Sequence, residues 1–198
     1  LRVSKEDFAA RVKTIALSPV WIAVDREIPD ASDAIEQSIS QALQKQALAV
    51  LPSSIYLEAY MRNRAIHAPY FDALTGALLK ERREALNKAV WAELQANHKA
   101  DAILDPGVVT VMATNNSGTV SWDGVSQSFS QSENVFARLS VSMVDATGSV
   151  PAISLASRVY APDGTDLFVK RVGVQTLRRM ATMGEVEVPS DNILTDCK

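Results

Sequence analysis

The sequence predicts an α+β domain: a strand-helix-strand-helix start, then a mostly antiparallel meander, with the helices packed on one sheet face. Three observations predict it. Within the first hundred residues, short apolar runs alternate with segments whose apolar residues recur at helical spacing. From Ala102 the texture changes to short runs rich in Val, Ser and Thr. Those runs are separated by Asn-Asn-Ser-Gly, Asp-Gly, Thr-Gly and Pro-Asp-Gly-Thr, residues that reverse a chain cheaply. With 198 residues, 47% of them hydrophobic, the chain can bury a core of its own. One domain is expected over 1–198, with 1–11 as a flexible lead and 115–134 as a long loop or hairpin insertion.

Val12 to Val20, VKTIALSPV, reads as a buried strand, β-branched and apolar and ended by Pro19. Pro29 and Asp30 then open a helix in which Ile35, Ile39, Leu43 and Ala47 share one face. Ala47 to Pro52, ALAVLP, follows as a short second strand, parallel to the first. Ser53 or Ser54 is placed to cap a short helix carrying Tyr56, Leu57, Tyr60 and Met61. A long helix is expected from Pro69 to Ala100, with Leu74, Leu78, Leu79, Leu86, Val90 and Leu94 at near-helical spacing. Gly76 weakens its first turns by roughly 1 kcal/mol relative to Ala. His98 and Lys99 stand at its end, where cations suit the helix dipole.

The meander reads as AILDPGVVTVMAT (102–114), GTVSWDGVSQSF (118–129), NVFARLSVSMVDA (134–146) and VPAISLASRVYAPDGTDLFVKRVGVQTL (150–177). APDGTD (161–166) is its clearest hairpin turn. VPSDN (188–192) carries the Pro and Ser that start helices.

Several functions are excluded by composition. A net charge of −3 and scattered basic residues argue against nucleic-acid binding, which depends on neutralising phosphates. No apolar run approaches the ~20 residues of a membrane-spanning helix. The single Cys197 permits no intramolecular disulfide and no thiolate metal cluster. His67 and His98 are 31 positions apart and each sits at a helix boundary, so a surface role is expected of both. No G-x-S-x-G, Walker or dinucleotide glycine pattern occurs. Glu81, Glu84 and Glu93 interleave with Lys80, Arg82, Arg83 and Lys88 as a solvated helix face does. No catalytic residue, cofactor or metal is therefore expected. The enzyme alternative is a hydrolase working through carboxylates near Asp101 and Asp105.

SWDG (121–124) draws the eye within a small, polar stretch. Asp123-Gly124 is a type I′ hairpin signal, and a Trp at its shoulder normally packs across the strand pair. The competing reading makes Trp122 an exposed anchor for a partner, because Trp is enriched in interface hot spots. On that reading the candidate partner-binding set is Trp122, Asp123, Val125 and Phe129, with Lys170 and Arg171 mid-strand as the charges that guard a sheet edge. A small-ligand site with Trp122 at its rim is a further alternative.

The order of elements carries a resemblance. TIALSPV (14–20), a helix, ALAVLP, a long helix closing on ADAIL (100–104), and the closing meander resemble the soluble domains of bacterial envelope lipoproteins. These include the TolB amino-terminal domain, the curli-secretion lipoprotein CsgG and the penicillin-binding-protein activator LpoB. TIALSPV is similar to their opening hydrophobic strand segment, and ADAIL to the entry of their next strand. The resemblance implies a non-enzymatic, periplasm-facing domain anchored to the outer membrane as a lipoprotein. It would bind other envelope proteins or a second copy of itself, as an accessory to secretion, transport or cell-wall assembly. It also implies a signal segment and a lipid-accepting cysteine upstream of Leu1 as the membrane attachment. It carries no catalytic residue over.

Overall fold

A computed structural model describes residues 3–24, 30–116, 118–128, 148–181 and 184–188. The α+β class is observed. In chain order the elements are α1 (Lys5–Arg11), β1 (Thr14–Leu17), β2 (Trp21–Ala23), α2 (Ala31–Lys45), β3 (Ala49–Leu51), α3 (Ser53–His67), α4 (Lys80–His98), β4 (Ala102–Asn116), β5 (Thr119–Trp122), β6 (Val125–Ser128), β7 (Gly148–Tyr160), β8 (Asp166–Thr176), β9 (Arg178–Ala181) and β10 (Gly184–Glu187). An eight-stranded mixed sheet runs β3-β1-β4-β5-β6, with β2 and β7 also paired to β4 and β8 to β7. β9 and β10 form a separate antiparallel pair.

The chain divides into two compact units. The first comprises Leu1–Val20, Ser32–Pro106 and Ser157–Lys170. Its centre is β1, buried at Ile15, Ala16 and Leu17 and parallel to both β3 and the start of β4. Side chains alternate across a strand, so β1 serves two cores. Ile15 and Leu17 join Val12, Ala102, Leu104, Val159 and Leu167, with Phe8 of α1 and Ile39 and Leu43 of α2 packed against them. Ala16 joins Ile103, Ala59 of α3, and Leu86, Val90 and Leu94 of α4. The helices thus cover both faces rather than the single face expected. The cause is legible in β1 itself, which has no polar face to leave in water.

Three local differences have physical causes. Residues 5–11, expected as a lead, form α1, because the Ser4 hydroxyl accepts the Asp7 N–H as an N-cap and Phe8 finds a core to enter. α3 starts where expected, but its cap comes from α2: the Glu36 carboxylate accepts both the Ser53 N–H at 2.9 Å and the Ser53 hydroxyl at 2.5 Å. The long helix begins only at Lys80. Before it, the Asp72 carboxylate accepts the N–H groups of Leu74 and Thr75 and the Thr75 hydroxyl, an Asx turn that competes with helix. Gly76 adopts φ +68°, which closes that turn.

The second unit comprises Trp21–Ala31, Gly107–Ala156 and Arg171–Lys198. β2, not anticipated, pairs in parallel with Gly107 to Val109, and the Trp21 ring lies over Gly107, where a Cβ would clash with it. The hairpin β5–β6 forms as predicted. Its core is Ala113, Val120, Trp122, Val150 and Ala152. The strand expected at 134–146 and the helix start at 189–192 lie outside the described residues.

Candidate functional site

Asp123 and Gly124 have φ +40° and +81°, the type I′ geometry, and pair Trp122 with Val125 across the hairpin. Within the second unit this turn is bonded on three sides. The Trp122 indole N–H donates to the Ile153 carbonyl at 3.0 Å. The Asp123 carbonyl accepts the Gly173 N–H, and the Asp123 carboxylate accepts the Ser154 hydroxyl at 2.5 Å and the Arg171 guanidinium at 2.7 Å. Those two donors, Ser154 first, hold the Asp123 carboxyl below the usual carboxylate range. Gln127 adds its amide to the Val174 carbonyl and accepts the Thr176 N–H. Gly173 is glycine for a reason: a Cβ there would stand 2.6 Å from Trp122 Nε1.

This geometry corrects the reading of Trp122 as an exposed anchor or as the rim of a ligand site. Its side chain is only 7% exposed, and burial with a satisfied N–H is the architecture of a packed hairpin. Of the predicted set, the structure brings together Trp122, Asp123 and Arg171, with Val125 half-buried beside them. Arg171 is committed to Asp123 rather than standing as a free guard. Lys170 is exposed on β8 in the first unit, and Phe129 lies outside the described residues.

The carboxylates of the enzyme alternative have structural duties. One oxygen of Asp101, Oδ2, accepts both the Lys13 and the Thr14 N–H at 2.9 Å, which ties the entry of β1 to the start of β4. Asp105 Oδ1 accepts the Ser18 hydroxyl at 2.8 Å. Tyr56 and Tyr160 lie within the field of Asp105; burial, reinforced by that charge, pushes Tyr56 up to about 12 and raises Tyr160 as well. The Tyr160 ring stacks obliquely on Trp91 at 5.1 Å and takes the Arg158 guanidinium over its face at 5.8 Å. Glu93 likewise bridges helices: it pairs with Arg62 at 2.5 Å and accepts the Asn63 amide, and Arg62 foremost keeps it ionised. No group of three or more His, Cys, Asp or Glu is placed to hold a metal among the described residues.

A set of exposed apolar side chains was not predicted. Six large apolar side chains between residues 57 and 78 are exposed: Leu57, Met61, Ile66, Phe71, Leu74 and Leu78. The first two are one turn apart on α3. The last three ride on a tight loop before α4, closed by Asp72 N–H to Ala77 carbonyl, Leu79 N–H to Tyr70 carbonyl and a Phe71–Leu78 bridge. Leu74, at 96% exposure, is its tip. Its shape is set by hydrogen bonds within the loop, so the apolar side chains are presented rather than merely left over. The signal that could have found it is Asp72-Ala-Leu-Thr75-Gly76, turn chemistry set inside an apolar run.

No protein-family model matches this chain, and comparison with curated proteins gives no match. Among solved structures, the chain is similar to the lipoprotein GNA1162 from Neisseria meningitidis, at 13% identity over 82% of this chain and 80% of that one, with a TM-score of 0.41. Among the described residues, no helix is long and apolar enough to cross a membrane.

Proposed function

We propose that this chain is a non-enzymatic, periplasm-facing lipoprotein domain that binds another envelope protein through α3 and the 70–79 loop. The observation that carries the binding is the loop itself. Soluble proteins rarely hold several large apolar side chains in water on a structured loop unless something covers them. Burying Leu74 and Phe71 in a partner would contribute about 1.5–3 kcal/mol each. The strand-helix-strand-helix-meander order, which the fold keeps, supports the envelope lipoprotein reading through the resemblance of TIALSPV and ADAIL. Asp101, Asp105 and Glu93 each hold elements together through hydrogen bonds.

The test is photo-crosslinking in living cells with a benzoylphenylalanine at position 74, beside the same probe at exposed Lys88. The reading expects a discrete adduct from 74 and none from 88. An adduct of twice the chain's mass would make the partner a second copy. Leu74→Glu should leave the fold and abundance intact and reproduce the deletion phenotype. Wild-type behaviour of Leu74→Glu, with no adduct at 74, would overturn it.

A further inference from the structure

The first unit holds a cleft of about 590 Å³ between α1, α2 and the sheet. Its floor is apolar and buried: Ile15, Leu104 and Val159. Phe8, Ile39, Leu43, Leu48 and Phe168 stand half-buried above it, and the exposed rim is different in kind. Lys5 of α1 and Gln46, just after α2, stand there with Ala9 and Ala42, two small residues where larger ones would close the opening. Among the described residues, Lys5 is the one charged side chain in the lining.

We propose that this cleft binds a single-chain anionic amphiphile, a long alkyl carboxylate, with its tail along Phe8, Ile39, Leu43 and Phe168 above that floor and its carboxylate at Lys5 and Gln46. Three features select that class. The volume lies within the ~300–1,000 Å³ of small-molecule sites. It holds roughly 20 groups of water size at ~30 Å³ each, room for a chain of about 14 carbons with its head group. The polarity is graded, apolar at depth and hydrogen-bonding at the opening, which suits a molecule with one polar end. The one charge among the described lining residues is positive, so an anionic head is favoured over a neutral or cationic one. A peptide would instead need acceptors and donors for its backbone along the floor, where the Ser157 hydroxyl is the single polar side chain among the described residues. The site is separate from the 70–79 loop and does not rest on the partner-binding proposal.

Tetradecanoate is the probe, measured by its displacement of a fluorescent dansyl-undecanoate from the full chain. Saturable one-to-one binding is expected. Ser157 lies two residues before Val159 on β7 and lines the cleft, so Ser157→Phe should fill its floor and weaken tetradecanoate at least tenfold. Ala42→Phe, at the exposed edge, provides the same blockade should Ser157→Phe fail to fold. Lys5→Glu should weaken tetradecanoate at least fivefold and leave tetradecanol unchanged, which separates head-group recognition from general greasiness. The proposal is overturned if wild type shows no saturable displacement. It is equally overturned if a folded blocking variant binds as wild type does, since the probe would then be adsorbing elsewhere.

Discussion

Replacing Trp122 is the sharpest test of how the β5–β6 hairpin is held. The side chain is 7% exposed, packs on Ala113, Val120, Val150 and Ala152, and donates its indole N–H to the Ile153 carbonyl. Truncating a buried Trp to Ala removes its transfer free energy and leaves a cavity, together about 3–5 kcal/mol. For a chain of this length that lowers the melting temperature by about 6–20 °C. Trp122→Phe keeps most of the packing but deletes the donor, leaving the Ile153 carbonyl buried without it at a cost of about 1–3 kcal/mol. Gly173→Ala approaches from the other side, because its new Cβ would meet the indole at 2.6 Å. Overpacking of this kind costs about 1–3 kcal/mol, and most of that should vanish in the Trp122→Ala background, where the indole is gone. Thermal melts followed by circular dichroism on the four proteins of that cycle read it directly. A Trp122→Ala loss under about 2 °C, or a Gly173→Ala cost that is the same in both backgrounds, would refute the packed hairpin and return Trp122 to the surface.

Asp101→Ala should lose both charge-assisted bonds at the entry of β1 and destabilise the protein by about 2–4 kcal/mol, whereas Asp101→Asn keeps an acceptor oxygen and should cost well under half of that in a urea titration. Since the Asp123 carboxyl is held below its ordinary value, its stabilisation is present above the unfolded-chain value of ~3.9 and is lost as pH falls through the lower folded value; stability of Asp123→Asn should therefore vary less than wild type below pH ~4. Tyr56 works in the opposite sense: its pKa is raised to about 12, so its contribution is complete below the free-phenol value of ~10 and is lost between ~10 and 12. Absorbance titration should show a phenol ionising near that upper value in wild type and absent from Tyr56→Phe. Glu36→Gln should weaken the start of α3 by about 1 kcal/mol, read as faster amide exchange at Ser53.

The elements that were legible in the sequence are those whose local chemistry and tertiary duty agree. β1, β3 and their parallel pairing follow from two β-branched apolar runs joined by an amphipathic helix. The I′ turn at Asp123-Gly124 and the turn around Gly164, at φ +88°, follow from where glycine alone is unstrained. α1 and β2 were not legible because each is short, and its stability comes from a partner distant in sequence: Phe8 from the core around Ile15, Trp21 from the bare backbone of Gly107. The two-faced burial of β1 was written in its uninterrupted Ile15-Ala16-Leu17, a pattern that suits strands covered on both sides.

The candidate site was hidden by a coincidence of period. Leu74, Leu78 and Leu79 fall at intervals of four and one, which an amphipathic helix would also produce, so the apolar spacing and the turn chemistry around Asp72 made opposite forecasts. The turn prevails because three hydrogen bonds converge on one oxygen, Asp72 Oδ1, while a helix through Gly76 would forgo them and add an unfavourable residue. Held in that turn, Leu74 stays in water. At Trp122 the forecasts were also opposed, and packing prevailed there for the reason it failed at Leu74: Gly173 leaves space for the indole and Ile153 offers its carbonyl. Composition marks both residues as large and apolar among polar neighbours, but only the presence or absence of a receiving surface decides which is core and which is available to a partner.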